Sequence, residues 1–168
     1  MSDTRPFWQK PIFVLFFATA VIVVAYGSRQ SFGVFLRPIT TDFGWGREGL
    51  SLAIATQALV YGIAAPFIGV LADKWGPIRV LILAGTLYLL GFLATSQATT
   101  ETGFLFSIGF MVGLGASGCA LPMLLSLVGR VAPEEKRSTW LGITVSGGTA
   151  GQMLIVPLTQ FIISSWGW

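Results

Sequence analysis

The sequence predicts an all-α membrane protein with five transmembrane helices, and three observations support this fold class. Hydrophobic residues make up 54% of the 168 residues and charged residues only 10%, whereas soluble domains carry about 25% charged residues. The apolar residues are gathered into five runs, each long enough for a helix of about 20 residues to cross a bilayer. The ten Lys and Arg residues lie mainly at or beyond the ends of these runs.

The five predicted spans follow one another with short connections rich in turn-forming residues. These connections read TTDFGWGRE, DKWGP, QATTE and RVAPEEKRS in chain order. We expect residues 1–10 to form a cytoplasmic N-terminal segment and residues 11–168 to form one transmembrane domain. Within it, the predicted spans cover about residues 11–35, 49–71, 78–96, 103–128 and 140–164.

The basic residues predict the orientation of these spans. If the N-terminus is cytoplasmic, the outer side carries only Arg37 and Arg47, and Arg29 lies within the first span. Cytoplasmic loops carry an excess of Lys and Arg, so we expect a multi-pass protein of the cell membrane with its N-terminus inside. The inner side then holds Arg5, Lys10, Lys74, Arg79, Arg130, Lys136 and Arg137. The odd number of spans and the stop directly after the last one suggest the N-terminal part of a longer protein.

The connection between the second and third spans carries the most specific motif. It reads GVLADKWGPIRV and resembles the loop between helices 2 and 3 of the major facilitator superfamily, whose pattern is G-x-L-x-D-R/K-x-G-R/K-R/K. The two basic residues usual after the second glycine are replaced here by Pro and Ile. The matching positions are Gly69, Asp73, Lys74, Gly76 and Arg79.

This loop has an expected role in gating. Gly69 is expected to allow close helix approach, and Gly76 to allow a tight turn. The resemblance implies that Asp73 holds the two halves of a transporter together on the inner side. Arg130, at the inner end of the fourth span, is the candidate partner of this carboxylate.

Two longer stretches narrow the family. Residues 31–53 and 136–163 are similar to the monocarboxylate-transporter-type branch and its bacterial relatives, which include oxalate/formate exchangers. The acidic-Gly-Gly-Trp opening of animal monocarboxylate transporters is absent. The resemblance implies a partial N-terminal six-helix half of a major facilitator fold, whose partners are the bilayer and a missing C-terminal half. It also implies alternating-access transport of a small organic anion, a monocarboxylate or a dicarboxylate, by proton symport or anion exchange.

Polar residues within the spans are the candidate substrate-binding residues, because each one is unfavourable there unless it faces protein or water. Tyr26, Arg29 and Gln30 share one face of the first span by their three-four spacing. Arg29 can either bind a substrate anion or extend towards the headgroups. Gln57 and Tyr61 form a similar pair on the second span, which can line a cavity or bond to another helix.

Small residues predict close helix packing in the last two spans. Gly109, Gly113 and Ser117 are spaced four apart in the fourth span, and so are Gly147 and Gly151 in the fifth. Packing, rather than ligand contact, is the favoured interpretation. In the same helix, we expect the Thr144 hydroxyl to bond back to its own main chain.

Several classes of function are disfavoured by composition. The chain has no histidine and one cysteine, so no metal site, cofactor or internal disulfide is expected. The basic residues are too few and scattered for nucleic-acid binding. An embedded enzyme would need clustered catalytic groups, but Arg29 is the only ionisable side chain well inside a span. A transporter of another small solute in the same superfamily and a non-transporting structural membrane protein remain alternatives.

Overall fold

The computed structural model describes residues 11–45 and 47–166, and every regular element within them is helical. Five helical stretches are long and apolar enough to cross a membrane, which confirms the predicted all-α fold class. In chain order the elements are α1 (Pro11–Phe43), α2 (Arg47–Trp75), α3 (Pro77–Ser96), α4 (Glu101–Phe104), a π-helical segment (Leu105–Val112), α5 (Gly113–Gly118), α6 (Leu121–Val131), a 3-10 turn (Glu134–Lys136) and α7 (Arg137–Trp166). The segment 1–10, with Arg5 and Lys10, lies outside the described residues.

The fourth candidate span is a composite rather than a single α-helix. It runs from Glu101 to Val131 and contains α4, the π-helical segment, α5 and α6. A π-helix bonds each N–H to the carbonyl five residues earlier, one residue further back than in an α-helix. Between α5 and α6 the Cys119 N–H donates to the Ala116 carbonyl at 3.1 Å, which tightens the end of α5.

The first span is longer than predicted. The sequence suggested an end near residue 35, but α1 continues through Pro38 to Phe43. Ile39 is 5% exposed and packs in one cluster with Leu50 and Phe104. Burial of this extension therefore outweighs the unfavourable effect of an internal proline.

The connection between α2 and α3 is shorter than predicted. Asp73 and Lys74 belong to the last turn of α2, so the expectation that they lie in a loop is wrong. Only Gly76 separates the two helices, and its φ of 91° is one that other residues rarely adopt. Its N–H donates to the Ala72 carbonyl at 2.9 Å, and Pro77 starts α3 with a preset φ.

The described residues fall into two compact units, which are considered separately. The first comprises residues 11–31 of α1 together with α6 and α7. A Cβ atom built on Gly147 would lie 2.7 Å from Thr19 Cγ2, and one on Gly151 would lie 2.7 Å from Val23 Cα. The predicted small face of α7 is therefore confirmed. Thr144 is fully buried and its hydroxyl donates to the Trp140 carbonyl at 3.0 Å, as expected.

The second unit comprises residues 32–120, in which α2 and α3 pack against the fourth span. A Cβ atom on Gly109 would lie 3.0 Å from Thr56 Cγ2, and one on Gly113 would lie 3.1 Å from the Gln57 carbonyl oxygen. These contacts confirm the predicted packing role of both glycines. Gly69 differs: within the described residues, a Cβ there would meet nothing within 4 Å. Its expected close approach to another helix is not found in this part of the chain.

Candidate functional site

The predicted cluster around Arg29 belongs to the first unit. Tyr26 and Arg29 are half-buried, whereas Gln30 is exposed. A methyl group on Gly148 of α7 would lie 3.6 Å from Tyr26 Cδ1, so the tyrosine ring lies against a glycine of α7. Arg29 and Gln30 therefore differ in burial although they are adjacent in sequence.

Two hydroxyl groups lie next to each other at the contact between α1 and α7, and the one on α1 is two residues after Arg29. Ser31 is 3% exposed, and its Oγ lies 3.3 Å from Thr159 Oγ1. The Ser31 hydroxyl donates to the Gly27 carbonyl at 2.9 Å. The Thr159 hydroxyl can donate its one proton either to Ser31 Oγ or to the Ile155 carbonyl, 2.8 Å away. Sequence reasoning did not select this pair. Their polar character inside apolar spans was the available signal, but it did not indicate that they would meet.

Gln57 lies in the second unit, at the contact between α2 and the fourth span. Leu50, Ala53 and Gln57 are all buried on one face of α2, and the first two pack against Phe104 and Ile108. Gln57 itself is 2% exposed. Its Nε2 atom has no hydrogen-bond acceptor among the described residues, which is unusual because buried polar groups are nearly always paired.

Tyr61 lies one helical turn after Gln57 and packs against a different set of residues. It contacts a buried cluster formed by Tyr88 of α3 with Val112 and Ala116 of the fourth span. Tyr61 is half-buried. Gln57 and Tyr61 therefore both lie on the side of α2 that packs against the fourth span, whereas their spacing predicted only that they share a face.

Aromatic rings extend this second group. Tyr88 meets Phe92 edge to face, with ring centroids 4.9 Å apart. Phe92 in turn stacks on Phe32, with centroids 5.5 Å apart. Sequence reasoning missed Tyr88, although a tyrosine inside an apolar span carries the same signal that selected Tyr61.

The predicted gating residues lie around the turn at Gly76 and at the end of α6. Asp73, Lys74 and Arg79 are all exposed and flank this turn in the second unit. Arg130 is exposed in the last turn of α6, in the first unit. The pairing of Asp73 with Arg130 stays a prediction.

The described residues contain no group of three or more His, Cys, Asp or Glu side chains able to hold a metal ion. What they offer is hydrogen bonding: a guanidinium and a tyrosine in one unit, and an amide and two tyrosines in the other. Donors of this kind bind the oxygen atoms of a polar or anionic solute.

Comparison with known proteins gives a consistent family assignment. The family model described as Major Facilitator Superfamily matches residues 15–168. Monocarboxylate transporter 13 of Rattus norvegicus is 28% identical, over 91% of this chain and 35% of its own length. Probable anion transporter 3, chloroplastic, of Arabidopsis thaliana is 25% identical over 99% of this chain and 33% of its own length. Monocarboxylate transporter 11 of Mus musculus is 25% identical, over 90% of this chain and 33% of its own length. The chain thus spans about a third of the length of these curated relatives.

Proposed function

The chain belongs to the major facilitator superfamily, and from this premise we propose that it is part of a secondary active transporter of a small organic anion. The observation that carries the proposal is that relatives named for monocarboxylate or anion transport match nearly the whole chain. Proteins of this fold bind substrate near the bilayer midplane and expose it alternately to each side. The transported anion is a monocarboxylate or a dicarboxylate, moved by proton symport or by exchange. The remaining helices are supplied by a C-terminal part of the same protein.

Arg29 is the proposed anion contact. It lies 18 residues beyond Pro11, the start of α1, which is about 27 Å along the helix at 1.5 Å per residue. This distance corresponds to the outward part of a bilayer core about 30 Å thick. Its guanidinium can bind a carboxylate through two parallel hydrogen bonds. Tyr26 and Gln30 are the proposed polar neighbours of the bound anion on the same helix.

Gln57 and Tyr61 are the proposed substrate contacts of the second unit. Both side chains turn towards the fourth span, and Gln57 carries an amide donor that has no acceptor among the described residues. A substrate carboxylate or carbonyl oxygen is the type of group that such a donor would bind.

The turn at Gly76 is the proposed inner gate. Asp73 stands exposed at the end of α2, where its carboxylate can pair with a basic residue in one conformation and separate in the other. Arg130 is the proposed partner. In this arrangement the N-terminus is cytoplasmic, and the protein is a multi-pass component of the cell membrane.

Two other functions compete with anion transport. A transporter of a neutral solute would share the fold but would have no use for a permanent cation in the first span. A non-transporting structural membrane protein would not require the Asp73 motif. Arg29 and Asp73 together favour the transport of an anion.

Arg29 variants test the proposal in the full-length protein that contains this chain, reconstituted in liposomes. Charged hydrogen bonds contribute about 1.5–3 kcal/mol, so Arg29→Gln should raise the KM for a transported carboxylate about tenfold or more. Arg29→Lys keeps the charge but loses the paired hydrogen-bond geometry, so its KM should lie between those of wild type and Arg29→Gln. Arg37→Gln, an exposed position of the same helix, is the matched control and should leave KM unchanged. Equal KM values for wild type and Arg29→Gln would contradict the anion contact. A KM for Arg29→Lys equal to that of wild type would instead favour an arginine that extends towards the lipid headgroups.

A further inference from the structure

The π-helical segment is the least regular part of the fourth span. It covers Leu105–Val112, and beyond it the N–H of Gly113 donates to the Phe110 carbonyl, only three residues earlier. Where the bonding pattern shortens in this way, at least one main-chain carbonyl is passed over and has no helical donor. Helices of this type are rare and often occur at functional sites.

A second irregularity lies directly opposite, on α2. The main-chain oxygen of Gln57 is 3.1 Å from where a Cβ on Gly113 would stand, so the two helices nearly touch where the π-helical segment ends. Gln57 is 2% exposed and its Nε2 has no acceptor among the described residues. An unpaired buried donor therefore lies on α2 beside the end of the π-helical segment.

We propose that residues 105–112 are a conformational switch that converts between this π-helical form and a regular α-helix, and that Gln57 pairs with the fourth span only in the α-helical form. A π turn holds one more residue than an α turn, so conversion rotates the rest of the span by about 100° per extra residue. The rotation presents different main-chain groups to α2 and gives the Gln57 amide its acceptor.

The packing around the switch sets what such a rotation requires. Gly109, Gly113 and Gly115 lie in close contact with α2 and α3, so α2 and α3 have to move apart when residues with side chains turn into these positions. The contact between Thr95 and Ser107, whose hydroxyls are 3.0 Å apart, lies near the N-terminal end of the segment and can act as its fixed point. This inference rests on the proposed function in one respect: the two helical forms serve as two states of the transport cycle.

The first test measures stability and amide exchange of the full-length protein in nanodiscs, with no substrate present. Gln57→Met keeps the side-chain length and removes the unpaired donor, so it should favour the π-helical form and raise Tm by about 2–4 °C. Deuterium exchange of peptides covering residues 105–113 should slow about tenfold. Gln160→Met, at an exposed position of α7, is the matched control and should change neither quantity. A Tm that falls, or exchange that stays unchanged in Gln57→Met, would overturn the proposal.

The second test removes one residue from the helix. Deleting Met111 takes out the extra residue of a π turn and should leave a folded protein whose segment is α-helical, with Tm within about 5 °C of wild type. Deleting Ile82 from the regular helix α3 is the control and should lower Tm much further, because it shifts all later contacts. If both deletions unfold the protein equally, no α-helical form exists and the proposal fails. None of these measurements depends on transport, so they separate failure of the switch from failure of the proposed function.

Discussion

At the scale of single residues, glycine occurs where the main chain of another helix passes close by. In the first unit, a Cβ on Gly151 would lie 2.7 Å from Val23 Cα, which is main chain and cannot rotate away. In the second, a Cβ on Gly115 would lie 2.5 Å from the Tyr88 main-chain nitrogen. Membrane helices lack a hydrophobic drive to associate, so such close contacts are a main source of their packing energy.

Alanine at Gly151 should therefore destabilise the protein. The added methyl group forces α1 and α7 apart, at a cost of about 1–3 kcal/mol. Gly142 lies in the same helix, and a Cβ there would meet nothing within 4 Å. Gly142→Ala should thus be neutral or slightly stabilising, because alanine favours a helix. Thermal unfolding in detergent compares the two variants, and equal Tm changes would contradict the packing role of Gly151.

Single-residue features were only partly predictable from sequence. The four-residue spacing of Gly147 and Gly151 indicated a packing face, but spacing does not identify the partner helix. Gly69 was selected by the loop motif rather than by spacing, and its expected contact with another helix is not found among the described residues. The unpaired amide of Gln57 had no signal at all, because pairing depends on the position of every neighbouring acceptor.

At the scale of elements, the turn between α2 and α3 depends on one residue. Gly76 has a φ of 91°, a conformation that costs other residues about 1–2 kcal/mol. Gly76→Ala should therefore lower Tm in the full-length protein and shift the approach of α3 to α2. Gly85→Ala, in the middle of α3, should leave Tm unchanged, because a Cβ there meets nothing within 4 Å. A Tm unaffected by Gly76→Ala would show that the turn tolerates a side chain.

Asp73 belongs to the same turn but is expected to affect motion rather than folding. Its side chain is exposed, so Asp73→Asn should leave membrane insertion and Tm unchanged. Transport should fall strongly, because the amide has lost the charge that pairs with a basic residue. Uptake by reconstituted full-length protein measures this, and Glu48→Gln, another exposed acid of α2 with a different location, is the control. Unchanged uptake in Asp73→Asn would show that the motif only connects α2 and α3 and has no role in gating.

The helices themselves were predictable to different extents. Five apolar runs of sufficient length identified all five candidate spans. The extension of α1 through Pro38 was not predictable, because burial of Ile39 overrides a local helix breaker. The π-helical segment was not predictable either, since its apolar residues fit an α-helix and a π-helix equally well.

At the scale of the whole molecule, the proposed orientation of the spans rests on where the basic residues lie. Lys136 and Arg37 are both exposed and belong to opposite sides in the proposed arrangement. A membrane-impermeant maleimide should label Arg37→Cys in intact cells, whereas Lys136→Cys should react only after permeabilisation. The native Cys119 is 4% exposed and gives little background. Labelling of Lys136→Cys from outside would reverse the proposed orientation.

We propose that this chain forms part of a carrier for small organic anions, and uptake by the full-length protein in liposomes is the direct test. The liposomes are supplied with labelled short-chain monocarboxylates and dicarboxylates, and with neutral alcohols of matched size. We expect at least one carboxylate to enter well above the level of protein-free liposomes, while the matched alcohol does not. Uptake of the neutral compounds without any carboxylate, or no uptake of either, would contradict it.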